Sequence, residues 1–314
     1  MPKFAFLGAL LSFALFPFSI SAHNAQNKIR VVASFSILAD LIKNVGGDHV
    51  SVTTLIGANA NTHTYIPTPR DAKYLKNAHI IFINGLNLEG FIDRLIAASG
   101  TRAPLVKASA NILPIKIENQ KHNAKHHHSN TDPHAWQTIP NVKIYIKNIA
   151  TALCKIDQQS CPNYKKNAYA YIKKLDEMQM IITKQISAIP KDKRTIITSH
   201  NAFSYFAQEY GLTVLAPQGI STEAEAAAAD VAKLIEQIKV NKVAALFVGN
   251  ISNPRLIEQI SRETGLKIGG TLYSDALSNK DGPAATYLAF MQHNVNTIID
   301  AIKGVKSKHN NLQL

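Results

Sequence analysis

Three histidines and one aspartate, His63, His134, His200 and Asp275, each lie in a loop just beyond a strand-like run or just ahead of a helix-like one. Such loops are where open α/β sheets gather their ligands. His63 sits in Gly57-Ala-Asn-Ala-Asn-Thr-His63-Thr-Tyr65, and His134 in Thr131-Asp-Pro-His134-Ala-Trp136. His200 directly follows Thr195-Ile-Ile-Thr-Ser199, and Asp275 lies in Leu272-Tyr-Ser-Asp275-Ala-Leu277. Taken singly, a histidine at a strand end is more often a hydrogen-bonded structural residue. Taken together, three neutral imidazoles and a carboxylate form a borderline-soft N₃O set, which suits Zn²⁺ at about 2.0–2.2 Å. Four protein donors fill a tetrahedral shell and leave no place for an activated water, which favours carrying the ion over catalysis with it. No His-Glu-x-x-His helix is present to support a secreted zinc hydrolase, the rival reading from the enzyme class.

Positioning four such residues requires strands that end side by side. Short β-branched runs alternate with longer amphipathic segments, beginning with Ile29–Phe35, then Val50–Ile56 and Ala78–Asn84. The same grammar returns after residue 190 with Arg194–Ser199, Leu212–Ala216, Val243–Gly249 and Lys267–Thr271, between helical patterns over 201–210, 223–241, 253–264 and 283–303. This is the signature of parallel α/β units. The expectation is an α/β protein of two lobes, each a mainly parallel four-stranded sheet flanked by helices: residues 23–162 form the first lobe and 190–314 the second. From about Asn163 to Ala188 the chain is rich in Ala, Lys, Gln, Met and Leu and free of Gly and Pro until Pro190. It reads as one bridging helix across 163–189, about 38 Å long, stiff enough to limit lobe closure.

Residues 1–22 read as a signal peptide, with Lys3, an apolar stretch from Phe4 to Phe18, and a small-residue cleavage site at Ile20-Ser21-Ala22. The apolar run is shorter than the about 20 residues of a comfortable span, and no cysteine follows it to accept a lipid. The mature chain is therefore expected to be exported, soluble and not membrane-embedded, so that any transport role needs a separate membrane partner; an uncleaved anchor is the alternative. The remainder, at 46% hydrophobic and 18% charged residues, has a globular composition. Its net charge of +13 is spread along helical segments without an arginine-rich arm or zinc-finger spacing, which argues against nucleic acid as a partner. Cys154 and Cys161, the two cysteines, bracket a polar turn and are expected to pair as a disulfide in an oxidising compartment, two free thiols being the alternative. The segment 118–130, with His122, His126, His127 and His128 among Lys, Asn and Gln, is too polar to order itself and reads as a mobile loop.

The local contexts carry more than the spacing does. Thr62-His63-Thr-Tyr65-Ile-Pro67-Thr-Pro69, Asp132-Pro-His134-Ala-Trp136, Thr198-Ser-His200-Asn-Ala-Phe203-Ser-Tyr205-Phe206 and Leu272-Tyr-Ser-Asp275 resemble the metal-ligand motifs of the zinc- and manganese-specific solute-binding proteins of ABC importers (the ZnuA/TroA-like family). Asn84-Gly85 and Gln218-Gly-Ile-Ser-Thr-Glu223-Ala-Glu225 are similar to further stretches of that family, and the likeness runs from about residue 29 to 304. The resemblance implies two lobes on one long helix, a single ion in the cleft held by His63, His134, His200 and Asp275, and delivery in the periplasm to a membrane permease powered by a separate ATPase. Manganese-type members usually carry Glu where His200 stands, so the match tilts toward Zn²⁺ as cargo, with Mn²⁺ or both ions as the alternative. In many zinc members water replaces the carboxylate, so either Asp275 or a water completes the shell. The histidines at 122–128 match a short version of the loop that accompanies zinc carriers, and imply an auxiliary capture role. Some relatives have been described as surface adhesins, a rival of the binding class. His79 and His293 fall inside apolar patterns and read as core or edge residues, while His23, His49 and His309 lack a supporting context. Docking one-to-one on a permease implies a monomer.

Overall fold

A computed structural model describes residues 28–117 and 131–304 of the chain. The proposed signal peptide and the histidine segment with His122, His126, His127 and His128 lie outside the described residues.

The first sheet is built from β1 (Ile29–Phe35), β2 (Val50–Ile56), β3 (Ile80–Ile83) and β4 (Leu105–Lys107), in the order β2-β1-β3-β4 and parallel throughout. Burial explains the order. Val31 to Phe35 of β1 and all of β3 are buried on both faces, as the central strands of a helix-covered parallel sheet must be. Helices α1 (Ser36–Gly46), α2 (Pro69–Asn77) and α3 (Ile92–Ser99) connect these strands, and α4 (Ile139–Ile156) follows the fourth. Apolar Ile37, Leu38, Leu41, Ile42 and Val45 form the buried stripe of α1. The fourth strand is three residues long and half exposed, too short to stand out as a run in the sequence.

The second sheet repeats the arrangement. β5 (Thr195–Ile197), β6 (Thr213–Leu215), β7 (Val243–Gly249) and β8 (Ile268–Leu272) are parallel in the order β6-β5-β7-β8. Helices α6 (Ser204–Tyr210), α7 (Ala228–Val240), α8 (Arg255–Thr264) and α9 (Tyr287–Lys303) flank it. All four start later than the helical patterns suggest, α7 and α9 by the most. Before α7, the Gln218 side chain donates to the carbonyls of Thr222 and Ala224, which holds 218–224 as a loop. Before α9, Thr286 caps the helix by accepting from the Ala289 amide, and Ala284 is tied to Ser278 Oγ instead.

Between the sheets runs α5 (Cys161–Ser187), 27 residues long and so about 40 Å. It begins two residues earlier than the sequence pattern, because Pro162 sits in its first turn, where a missing amide hydrogen costs nothing. Cys154 and Cys161 are disulfide-bonded with Cα atoms 4.6 Å apart, which clamps α4 to the start of α5. A single hydrophobic core runs from the first sheet through α5 into the second lobe, taking in Val31, Trp136, Leu175, Phe206, Phe247 and Phe290. A smaller cluster of Val231, Leu234, Ile257 and Ile260 covers the outer face of the second sheet. Close approach of α9 to β8 depends on Gly269, where a Cβ would collide with the Ala301 methyl. Among the described residues no helix is long and apolar enough to cross a membrane.

Candidate metal centre

All four singled-out residues come from loops at the carboxyl ends of strands, and the two sheets turn those ends toward one another. His63 follows β2, His134 follows β4 by way of the undescribed segment, His200 follows β5, and Asp275 follows β8. One donor atom from each lies within 4.8 Å of the others. His134, His200 and Asp275 are buried, and His63 is half-buried.

The spacing is that of donors around a shared point. His63 Nε2 stands 3.3 Å from His134 Nε2 and 3.2 Å from Asp275 Oδ2; His200 Nε2 is 3.2 Å from Asp275 Oδ2, and His134 Nε2 is 3.4 Å from Asp275 Oδ1. Donors about 2.05 Å from a tetrahedral ion are separated by about 3.3 Å. His200 Nε2 and both Asp275 oxygens are buried yet lack a hydrogen bond of proper angle, although each is close to its neighbours. Buried polar atoms of this kind require a partner, and a divalent cation supplies one.

The loops that carry these residues are held in place by hydrogen bonds. The His63 amide donates to Asn61 Oδ1 at 3.0 Å, and Asn61 Nδ2 donates to Thr222 Oγ1 of the opposite lobe at 2.8 Å. Farther along this loop, the Tyr65 hydroxyl, the Thr68 amide and the Thr68 hydroxyl all donate to Asp71 Oδ2, a capping arrangement that fixes the start of α2. His134 is held by Asp132, whose Oδ1 lies 2.7 Å from the ring Nδ1 and accepts from the His134 amide at 2.9 Å. A carboxylate at Nδ1 places the proton there and leaves Nε2 free as a donor to a metal. The Asp132 carbonyl accepts from the Tyr205 hydroxyl of the second lobe, and the Pro133 carbonyl from Asn84 Nδ2. Beside His200, Ser199 Oγ accepts from the Gly249 amide.

Electrostatics follow from burial and from these pairs. Burial opposes charge on Asp275, but His200 and His134 outweigh it and hold the carboxyl well below its ordinary range. Burial likewise disfavours the charged form of His134, yet Asp275 and Asp132 together raise its pKa. For His200 burial dominates and lowers the pKa. Asp132 is pulled down by His134 in spite of its burial. Asp132 and Asp275 together match the charge of a divalent cation.

Asp132 was not singled out from the sequence, though the Asp132-Pro-His134 spacing carried the signal. Outside the cluster, His79 Nδ1 accepts from the Arg30 amide and His293 Nε2 lies 3.0 Å from the Thr271 carbonyl, so both serve the sheets as expected.

A family model described as "Zinc-uptake complex component A periplasmic" matches residues 31–301. The iron-binding protein YfeA of Yersinia pestis is 33% identical over 275 residues, which is 88% of this chain and 86% of that protein. A solved structure of a Mn-bound periplasmic metal-binding protein from Candidatus Liberibacter asiaticus superposes with a TM-score of 0.78 at 30% identity, covering 88% of this chain and all of that one. The periplasmic zinc-binding protein TroA of Treponema pallidum does so with a TM-score of 0.80 at 27% identity, over 88% of this chain and 99% of that one.

Proposed function

Since the chain belongs to the periplasmic zinc-uptake component A family, as the match over residues 31–301 establishes, we propose that it is the solute-binding component of an ABC importer, capturing one divalent metal ion per chain. The cargo we assign is Zn²⁺, held by Nε2 of His63, His134 and His200 and by the Asp275 carboxylate. The observation that supports this most directly is the convergence of these four donors, from four separate loops, within 4.8 Å of one another. Three imidazoles and one carboxylate match the ligand preferences of zinc. With every tetrahedral position supplied by protein, the site is suited to carrying an ion rather than to activating water on it.

Loading would begin with His122, His126, His127 and His128, whose clustered imidazoles bind zinc transiently, and end in the buried cleft. The loaded protein would then dock, as a monomer outside the cytoplasmic membrane, on a permease driven by its ATPase. A second reading is Mn²⁺ as an additional cargo. One feature favours it: both Asp275 oxygens face imidazole nitrogens, at 3.2 and 3.4 Å, so a fifth, hard donor is at hand for an ion that prefers oxygen.

The test is metal counting on refolded, metal-free protein offered equal Zn²⁺ and Mn²⁺. One tightly held zinc per chain, with His200→Glu shifting preference toward Mn²⁺, is the expected result. Absence of any stoichiometric ion would defeat the reading.

A further inference from the structure

The segment that carries Asp275 belongs to neither a strand nor a helix, yet several of the backbone polar groups on either side of it are held by side chains. Tyr273 is held at both ends by Asn294, which accepts from its amide at 2.9 Å and donates to its carbonyl at 2.7 Å. The Ser274 carbonyl accepts from Trp136 Nε1 at 2.8 Å and Gln137 Nε2 at 2.9 Å, both from the first lobe. The Leu277 amide donates to Ser36 Oγ at 3.0 Å, and the Leu277 carbonyl accepts from the Asn59 amide at 2.9 Å.

One side chain spans Asp275 itself. Asn250, at the end of β7, accepts from the Ser274 amide through Oδ1 and donates through Nδ2 to the Ala276 carbonyl, each at 3.2 Å. The orientation of the amide is fixed by these partners, because the Ser274 amide is a donor and the Ala276 carbonyl is an acceptor. The Asn250 backbone amide is in turn bonded to the Leu272 carbonyl at the end of β8, so the clasp is rooted in the sheet. Its Nδ2 also approaches Asn59 Oδ1, in the loop that leads to His63, at 3.4 Å.

We propose that Asn250 is a positioning residue that sets metal preference: by bridging the residues on either side of Asp275, it keeps both carboxylate oxygens turned into the imidazole cluster. This rests on the reading of the cluster as a metal site. Asn250 does not touch the ion. With the clasp in place the carboxylate can supply two oxygens; without it, the Ser274 amide and the Ala276 carbonyl lose this partner, the span between them is held less tightly, and a single oxygen, or none, reaches the centre. The His134 ring is held by Asp132 and the His63 amide by Asn61, neither of them bonded to Asn250, so zinc keeps most of its shell. A harder ion that needs oxygen donors and more than four of them loses more. Changing a group that orients a metal ligand typically costs about 10–100-fold in affinity.

The experiment compares wild type with Asn250→Ala in chelator competition against Zn²⁺ and against Mn²⁺, with the visible spectrum of the Co²⁺ form as a structural readout. Asn250→Ser, which keeps a hydroxyl on a shorter arm, is made in parallel in case the alanine variant does not fold. Expected are a loss of about tenfold or more for Mn²⁺, a distinctly smaller loss for Zn²⁺, and stronger Co²⁺ absorption as coordination falls toward four. Equal losses for both metals, or no change in either, with an unaltered Co²⁺ spectrum, would overturn the assignment of Asn250 while leaving the metal site intact. A wild-type protein that binds no ion would instead defeat the functional reading, and this inference with it.

Discussion

At the scale of single residues, the pair formed by Asp132 and His134 has two opposed effects. The carboxylate fixes the ring and makes Nε2 a better donor, but it also raises the His134 pKa, so protons compete for that nitrogen sooner. A protonated imidazole cannot ligate, so zinc affinity should fall as pH drops from 7.5 to 5.5, beginning above the ~6.5 reference value of histidine. His200, its pKa lowered by burial, adds its loss only at lower pH. Asp132→Asn should weaken zinc at neutral pH by about 10–100-fold and move the remaining fall to lower pH, since of the two carboxylates that raise the His134 pKa, Asp275 and Asp132, only Asp275 remains. Chelator competition at stepped pH checks both parts; a variant with an unchanged profile would show that Asp132 does not govern His134. Much of this site was legible in the sequence: His63, His134, His200 and Asp275 each stood in a distinctive context. The groups that hold them were not. Tyr205 reaches the Asp132 carbonyl across 73 residues and Asn250 reaches Ser274 across 24, and no local pattern registers such a contact.

At the scale of elements, the seven-residue runs Ile29–Phe35, Val50–Ile56 and Val243–Gly249 became strands with those same bounds, each rich in β-branched or apolar residues and buried over part of its length. What escaped was β4, too short to show a period, and the loop 218–224, where Gln218 competes for carbonyls that a helix would otherwise use. The disulfide between Cys154 and Cys161 joins the last turn of α4 to the first residue of α5. Closing so short a loop should stabilise the fold by about 2–3 kcal/mol in the chain-entropy account. The double variant Cys154→Ser/Cys161→Ser should lose that much in denaturant titration and keep its metal affinity, because neither cysteine approaches the cleft. A large loss of affinity would mean that α5 transmits strain to the ligand loops.

At the scale of the molecule, the two lobes share one core and are also joined by polar contacts. The Tyr287 amide donates to Asp40 and the Tyr287 hydroxyl to the Trp136 carbonyl, while Trp136 and Gln137 both hold Ser274. A protein so joined should unfold in calorimetry as one transition rather than two. Metal should move that transition upward as a whole: at a thousand times the dissociation constant, binding adds about 4 kcal/mol. Two separate transitions, only one of them sensitive to chelator, would show that the lobes fold independently and that the common core contributes little.

The four donors are separated by more than sixty residues from one to the next along the chain, at 63, 134, 200 and 275, and come from both lobes. No stretch of the polypeptide shorter than 63–275 therefore contains the centre, and a chain that is still unfolded has no centre at all. A copy that left the cytoplasm unfolded could not carry out an ion from where it was synthesised. Its first cargo is drawn from whichever compartment it finishes folding in, so the ions dissolved there, and not those at the ribosome, decide what the newborn protein holds. Because copper outcompetes zinc and zinc outcompetes manganese for most nitrogen and oxygen sites, the place of folding is itself a form of metal selection.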